Sequence, residues 1–523
     1  MITNNSYDKV PYESNPYPQS SPSHLRTLGV LFGMNPPALA KARVLELGCS
    51  SGGNLMPFAH SYPHSECVGV DLSNVQIEEG KTLTNKLGIK NLELKHMSIH
   101  DVDESFGKFD YIIAHGVFSW VPVEVQNKML EIANNNLTEN GIAYISYNTL
   151  PGWNMVRSIR DMMLYHSAGF ENPSEKIAQA RLLLQFLKES TEGSNSPYST
   201  MLKNESDLLA QQPDYYLRHD HLEDENHQFY FNEFMQKADS YGLQYLADST
   251  ISSMYVGNLP QKIAEKLSEI KDIIRSEQYM DYVTNRRFRS TLLCKKSVRI
   301  NRNLTNEDIN KFYISIKATP EKPLSEVNLE DNTEVLNFYF NDNKDISAST
   351  GSKYLKAILY TLIENKLTPL KVDKIAKLAA EKLINTTASD ILPDLTSNTM
   401  KMVLSGHLTI TSEEPVYAAK IKSKPQISDL ARVQAEFTRN YWVTNYRHER
   451  VAINELDKFA FKYFDGKHSY EEIQDKVFEA IKGGAIVLSR NDKRIDDDSE
   501  LKTEVNGIFK EYGERVRDLA LLS

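Results

Sequence analysis

The sequence predicts an α/β protein built on a doubly wound, mostly parallel sheet, with a helical insertion and a mostly helical C-terminal region. Three observations carry this. Short apolar runs alternate with helix-period segments over residues 44–147, the signature of βαβ units. A loop rich in glycine and serine follows directly on the first apolar run, where doubly wound sheets place their ligands. Beyond residue 353 the apolar residues recur at helical spacing instead.

Residues 43–47 read as the first strand and 54–61 as the helix behind its loop. Residues 67–71 give a second strand and 73–87 a helix stopped by Gly88, since glycine takes the left-handed conformation that ends helices. Strands follow at 91–97, 109–114 and 141–147, with a helix at 124–136 before the last. Residues 155–215 read as a helical insertion broken by a Ser/Asn/Gly stretch at 190–199. After it come a helix at 229–241 and strands at 242–247 and 288–296, which could return to the same sheet as its sixth and seventh members. Past Ile300 the spacing turns irregular over 305–343. Amphipathic helix is expected over 353–383, and further helix over 425–457 and 470–481 around an Asp465-Gly466 turn. The expected division is a sheet-bearing unit at 1–300, a middle unit at 301–410 and a C-terminal helical unit at 411–523.

A chain of 523 residues is too long for one hydrophobic core. The net charge of −10 argues against a general nucleic-acid binder, which carries a basic surplus, and is compatible with a lysine-rich protein partner. No apolar run approaches the roughly 20 residues that span a bilayer, so no membrane insertion is expected. Residues 1–23 lack the basic start and apolar core of a signal peptide, which makes cytoplasmic residence the expectation. Cys49, Cys67 and Cys294 are few and form no CxxC pair, so neither a disulfide framework nor a cysteine zinc site is expected.

The loop reads Val44-Leu-Glu-Leu-Gly-Cys-Ser-Ser-Gly-Gly-Asn54. A nicotinamide-binding loop takes G-x-G-x-x-G, so that backbone amides approach a pyrophosphate. Here Glu46, Gly48, Ser50 and Gly52 match instead the acidic-x-Gly-x-Gly/Ser-x-Gly pattern of methyltransferases that use S-adenosylmethionine, with Asn54 closing the loop. That cofactor has no phosphate. Its amino-acid end, ribose and sulfonium need close backbone approach and a nearby anion. Asp71, at the end of the second strand and followed by Leu72, can accept both ribose hydroxyl protons. Ser98 and Ile99, after the third strand, occupy the adenine edge. An acidic group usually stands where Ser98 aligns, so the adenine contact here is expected to be weaker or to come from the backbone. The expectation is a class I (Rossmann-like) methyltransferase binding S-adenosylmethionine and releasing S-adenosylhomocysteine. The competing reading is an α/β nucleotide binder of another kind, or one that has lost binding.

The chain resembles bacterial class I methyltransferases with a methyltransferase regulatory domain, and above all the rickettsial lysine methyltransferases acting on outer-membrane proteins. The matching strings are Tyr12-Glu-Ser-Asn-Pro-Tyr17, residues 45–54, Asp71-Leu-Ser-Asn-Val-Gln-Ile77, residues 109–122 and Ser146-Tyr-Asn-Thr-Leu-Pro-Gly-Trp153. Arg287-Phe-Arg-Ser-Thr-Leu-Leu-Cys294, Ala431-Arg-Val-Gln-Ala435, His448-Glu449 and Asp465-Gly466 also fit. The resemblance spans nearly the whole chain. It implies a protein-lysine acceptor on an outer-membrane protein, which spacing does not show.

Methyl transfer to an amine is an in-line displacement, so alignment and desolvation do most of the work. Free lysine titrates near about 10.4, but a neighbouring sulfonium and an apolar channel lower that value, so a dedicated base is optional. His115, just past the fourth strand, is a candidate base or substrate-orienting group, or else a histidine that shapes its loop by hydrogen bonding. Phe118, Trp120 and Trp153 are candidates for an aromatic lysine channel, against plain core packing. Tyr12 and Tyr17 lie on an arm that could close over the site as a lid, against a loose tail. The stretch His219-Asp-His221 with Glu223, Asp224, Glu225 and His227 has no metal-site spacing, so no metal is expected and His221 reads as a pocket wall. The Asp496-Asp-Asp498 run reads as a solvated loop.

Two other functions compete with a protein-lysine methyltransferase: a small-molecule methyltransferase with regulatory extra domains, and a non-enzymatic adaptor on the same scaffold. Amphipathic helices after Lys353 could bury a homodimer surface.

Overall fold

The computed structural model describes residues 12–437, 441–490, 493–495 and 497–523. Its centre is an eight-stranded sheet whose strands are β1 (Arg43–Leu47), β2 (Glu66–Asp71), β3 (Leu92–His96), β4 (Phe109–Ala114), β5 (Leu137–Thr149), β6 (Gln228–Phe229), β7 (Leu243–Asp248) and β8 (Phe288–Lys295). The order across the sheet is β3-β2-β1-β4-β5-β8-β7, with β6 alongside the end of β5. Strands β1 to β6 pair in parallel, while β8 runs antiparallel to both β5 and β7. The two strands beyond the insertion therefore do rejoin the sheet, and the doubly wound expectation holds.

The strands read clearly because both faces of the sheet are covered. Val44, Tyr111, Ile142 and Tyr144 face one apolar cluster, and Leu45, Ile112, Ala143 and Ile145 face another. Neighbours in sequence point to opposite sides, as a pleated strand requires. The first cluster continues without a break into residues 309–410, so the middle region packs directly on the sheet. The insertion has its own small core around Ile159, Met163, Leu184 and Leu202, and residues 427–522 have another.

Helix boundaries follow local chemistry. Ser73 caps Asn74–Leu87 by accepting the Gln76 amide, and Gly88 ends it at φ 64°. The insertion comprises Trp153–Ser167, Pro173–Ser190 and Pro197–Ala210, and the Ser/Asn/Gly stretch forms the break between the last two.

Three expectations need correction. Residues 353–383 are two helices, Lys353–Glu364 and Val372–Ala380. Lys366 and Leu367 adopt positive φ between them, and Leu370–Lys371 pairs with the strand Tyr313–Ile316. Apolar spacing alone runs across that turn. Among the described residues of 425–457 the helices are Asp429–Phe437 and the start of Glu455–Phe461, with a short antiparallel pair, Trp442–Thr444 and Arg450–Ala452, between them. The acidic run near 497 starts a helix: Asp497 caps Asp498–Asp518 by accepting the Glu500 amide. Negative charge at a helix N-terminus is favourable there. Asp496 and residues 1–11 lie outside the described residues.

Arg289, on β8, holds the helix Ile273–Thr284 to the sheet. Its fully buried guanidinium meets both oxygens of Asp281 at 2.8 Å and Glu277 Oε2 at 2.9 Å, over the face of Phe231. Arg289→Met leaves the buried Glu277 without its cation and Asp281 with Arg286 alone, and is expected to destabilise this unit by about 3 kcal/mol. A shift of the denaturant midpoint reads it directly, and Arg289→Lys, which keeps the charge without the fork, falls between.

Candidate active site

The β1 loop is shaped for close approach. Gly48 sits at φ +76°, and a Cβ there would come within 2.5 Å of Val117. At Gly53 a Cβ would meet the Ser14 carbonyl at 2.5 Å, so the glycine is what lets the N-terminal arm lie against the loop. Ser50 takes φ 52°, the conformation for which glycine usually stands at this position.

Two carboxylates frame the loop. Asp71 accepts the Ser50 amide on Oδ2 and the Ser73 amide on Oδ1, both at 2.8 Å, which fixes its plane at the end of β2. Glu46 is only 3% exposed. Its Oε1 accepts Asn54 Nδ2–H at 2.8 Å, while Oε2 is buried with no hydrogen-bond partner. Burial pushes the Glu46 carboxyl up to about 8; the Asp71 charge adds to this and the Asn54 bond opposes it.

Both open into one cavity of about 670 Å³. The cofactor candidates Glu46, Gly48, Ser50, Asn54, Asp71, Leu72, Ser98 and Ile99 all line it. So do the candidates Tyr12, Tyr17, His115, Trp120, Trp153 and His221. Residues distant in sequence thus share one enclosure. Gly52 does not line it; at φ +79° it turns the loop over Leu94. Phe118 is a correction. It is wholly buried between Phe229 and Phe234, each ring 5.3 Å away, on the apolar face behind the site.

The far end of the cavity is aromatic. The His115 and Tyr17 rings lie 3.8 Å apart, and Trp120 and Trp153 meet edge to face at 6.3 Å. Tyr144 donates to Ser290 at 2.9 Å, so its oxygen receives the Nδ1 proton of His115 at 2.8 Å. Burial lowers the His115 pKa to about 4, so the ring is neutral near pH 7 with Nε2 unprotonated. Tyr12 is held by Gln76, whose amide donates to its carbonyl at 2.7 Å, and its ring meets the edge of Tyr215.

Three lining residues, Asp220, Glu205 and Asn148, are not among the sequence-predicted site residues. Asp220 and the candidate His221 stand on a single π-helical turn, Leu217–His221, a local distortion often found at functional sites. His221 is buried with Nδ1 unpartnered, and burial lowers its pKa to about 4. Burial pushes the Asp220 carboxyl up to about 7, with His219 pulling the other way. Glu205, on the insertion, pairs with Arg287 at 2.5 Å across the cavity wall. Asn148 brings a buried Nδ2 without a partner. Asn148 lies inside the string Ser146–Trp153 that carries the resemblance and Asp220 inside the His219-Asp-His221 stretch, while Glu205 has no motif to mark it. Among the described residues no three His, Cys, Asp or Glu side chains gather as a metal site, and His219 pairs with Glu223 at 3.0 Å.

A buried, unanswered carboxylate oxygen opening into a cavity fits a cationic ligand, and Asp71 fits a pair of ribose hydroxyls. On this sheet, with this loop, that donor set defines a class I methyltransferase whose cofactor is S-adenosylmethionine. Residues 39–189 match the methyltransferase domain family, 213–295 the family described as a predicted methyltransferase regulatory domain, and 423–521 the PKMT C-terminal winged helix domain. An uncharacterized protein of Rickettsia prowazekii is 50% identical over 522 residues, covering 100% of this chain and 94% of its own length. The structure of PKMT2 from Rickettsia typhi in complex with AdoHcy aligns over 98% of this chain and 100% of that one, at 40% identity and a TM-score of 0.91. A second structure of that protein aligns with a TM-score of 0.90 at 41% identity. The chain belongs to the PKMT family of methyltransferases. Among its described residues no helix is long and apolar enough to cross a membrane.

The elevated Glu46 pKa has a consequence for binding. Below about pH 8 the ligand-free carboxyl is largely protonated, whereas a cationic amino-acid end favours its ionised form. Binding therefore releases a proton, and affinity rises with pH. Calorimetry with S-adenosylhomocysteine is expected to show a gain of up to about tenfold per pH unit between pH 6 and 7.5. Glu46→Gln flattens that dependence; a wild-type affinity indifferent to pH contradicts it.

Proposed function

We propose that the protein is a protein-lysine N-methyltransferase acting on a bacterial outer-membrane protein. The observation that supports an amine acceptor is the carboxylate of Asp220. It lines the same enclosure as the cofactor loop, among Tyr12, Tyr17 and Tyr216, and among the described residues no hydrogen bond or ion pair reaches it. A carboxylate ringed by aromatic faces suits an ammonium or methylammonium on a long, flexible side chain. The outer-membrane target, modified in the cytoplasm before export, rests on the family resemblance, while the PKMT winged-helix match and the PKMT2 relative support the protein-lysine acceptor.

When bound, the cofactor supplies an electrophilic methyl group on a sulfonium. Glu46 would answer the charge of its amino-acid end, and Asp71 would accept from its ribose hydroxyls. Tyr17, Trp120 and Trp153 exclude water and orient the acceptor chain. Asp220 holds the lysine ammonium and receives one of its protons, leaving the nitrogen lone pair free; the carboxylate becomes a carboxylic acid and the ammonium an amine. The elevated Asp220 pKa brings that transfer closer to balance than it is for an ordinary carboxylate. His115, already neutral, orients the aromatic wall through Tyr17 rather than storing the proton.

With labelled methyl donor and an outer-membrane protein fragment, label is expected on lysine after acid hydrolysis. Its absence under turnover conditions removes this acceptor. Asp220→Asn is expected to lower kcat by about 100-fold or more, within the range of lost acid–base function, while S-adenosylhomocysteine binding stays within about twofold. Equal losses in both measurements would instead place Asp220 in the cofactor site.

A further inference from the structure

The cofactor loop is bonded to more than its own sheet. Asn54 is 4% exposed and its amide is fully used. Its Oδ1 accepts the Tyr17 backbone N–H at 2.9 Å and His448 Nε2–H at 2.8 Å; its Nδ2 donates to Glu46 at 2.8 Å and Ser20 at 3.0 Å. An amide oxygen only accepts, so His448 presents its Nε2 proton. His448 lies in the loop joining Trp442–Thr444 to Arg450–Ala452, nearly four hundred positions along the chain. It is buried and adopts φ 64°, a left-handed conformation that side chains with a Cβ seldom take. Its neighbours secure it: the His448 N–H donates to Asn445 O at 3.1 Å, and the Asn445 side-chain Nδ2–H donates to Leu519 O at 2.9 Å.

The same hairpin grips the N-terminal arm. Trp442 Nε1 donates to Glu13 Oε1 at 2.8 Å, and Arg450 reaches Glu13 Oε2 at 3.2 Å and Asn15 Oδ1 at 2.9 Å. Tyr215, at the end of the insertion, donates to Glu13 Oε2 at 3.0 Å. From below, the Gly53 amide donates to Ser14 Oγ at 2.8 Å. Residues 12–17 are thus clamped between the cofactor loop, the insertion and the winged-helix unit, and five of the six line the cavity.

We propose that the C-terminal winged-helix unit braces the cofactor site from behind its lining, through Asn54 and the arm. His448 is a positioning residue that orients the Asn54–Glu46 pair, and Trp442 and Arg450 latch the arm across the pocket. Cofactor affinity and exchange are then set by how firmly this unit is docked. Linkage makes the effect reciprocal: a ligand in the pocket tightens the docking.

The test uses the full chain, S-adenosylhomocysteine and no acceptor, so it stands apart from the lysine reading. In calorimetry His448→Ala is expected to weaken binding about tenfold, and His448→Gln, which retains an N–H donor, to recover it to within about threefold. Trp442→Phe keeps an aromatic face and loses the bond to Glu13 together with part of the indole's volume; it is expected to speed ligand release about fivefold and to quicken hydrogen exchange over residues 12–17. In the wild-type protein the ligand is expected to slow exchange in residues 442–452. Unchanged affinity in a folded His448→Ala variant overturns the proposal. So does failure of His448→Gln to recover, or an exchange rate in residues 442–452 indifferent to ligand, a measurement that needs no variant to fold.

Discussion

A carboxylate buried at the end of a parallel strand costs free energy unless something answers its charge, and Glu46 is such a group. One of its oxygens has a single donor, Asn54 Nδ2, and the other has none. That arrangement constrains everything nearby. The Asn54 amide has to keep its nitrogen toward Glu46, so its oxygen faces the arm and His448. The arm then has to pass within hydrogen-bond reach of the loop, which requires Gly53 to lack a Cβ. The unsatisfied oxygen is a standing cost that a cationic ligand relieves. Cofactor affinity and the closed packing of the loop therefore have one physical source.

The parallel core was legible in the sequence for a simple reason. Strands covered on both faces are continuously apolar, so β1, β2, β4 and β5 stand out as runs, and their loops carry glycine and serine where the backbone must turn or approach a ligand. Elements whose identity depends on partners were not legible. Trp442–Thr444 and Arg450–Ala452 are each only three residues long and become strands by pairing with one another. The turn at Lys366 and Leu367 has no glycine, and although Pro369 follows it, the apolar spacing on either side reads as one helix.

The same division runs through the site. Glu46, Asp71 and the loop glycines sit at fixed distances from strands, so the local pattern located them. His115, Trp120 and Trp153 follow strand ends too, and share the cavity. Phe118, two residues before Trp120, turns the other way, because the short helical turn Phe118–Trp120 points its first ring into the core and leaves its third on the cavity. An aromatic string announces a wall without saying which ring faces inward. Asp220, Glu205 and His448 come from segments joined to the site only by folding; the His219-Asp-His221 stretch and the His448-Glu449 string stand out in the sequence, but no spacing ties either to the cofactor loop.

The added regions also explain how so small a loop can be held shut. A short arm near a chain terminus loses conformational entropy when it orders, and hydrogen bonds from the loop alone offset little of that. Glu13 collects bonds from Tyr215 and Trp442 and an ion pair with Arg450, three donors from two units that enclose the arm. The tryptophan and tyrosine donors are semi-rigid and the carboxylate is only partly exposed, so the bonds are charge-assisted and lightly screened. Removing any one leaves the other two in place. The arm can therefore loosen in steps rather than all at once, which suits a segment that must let product leave without surrendering its register on the loop.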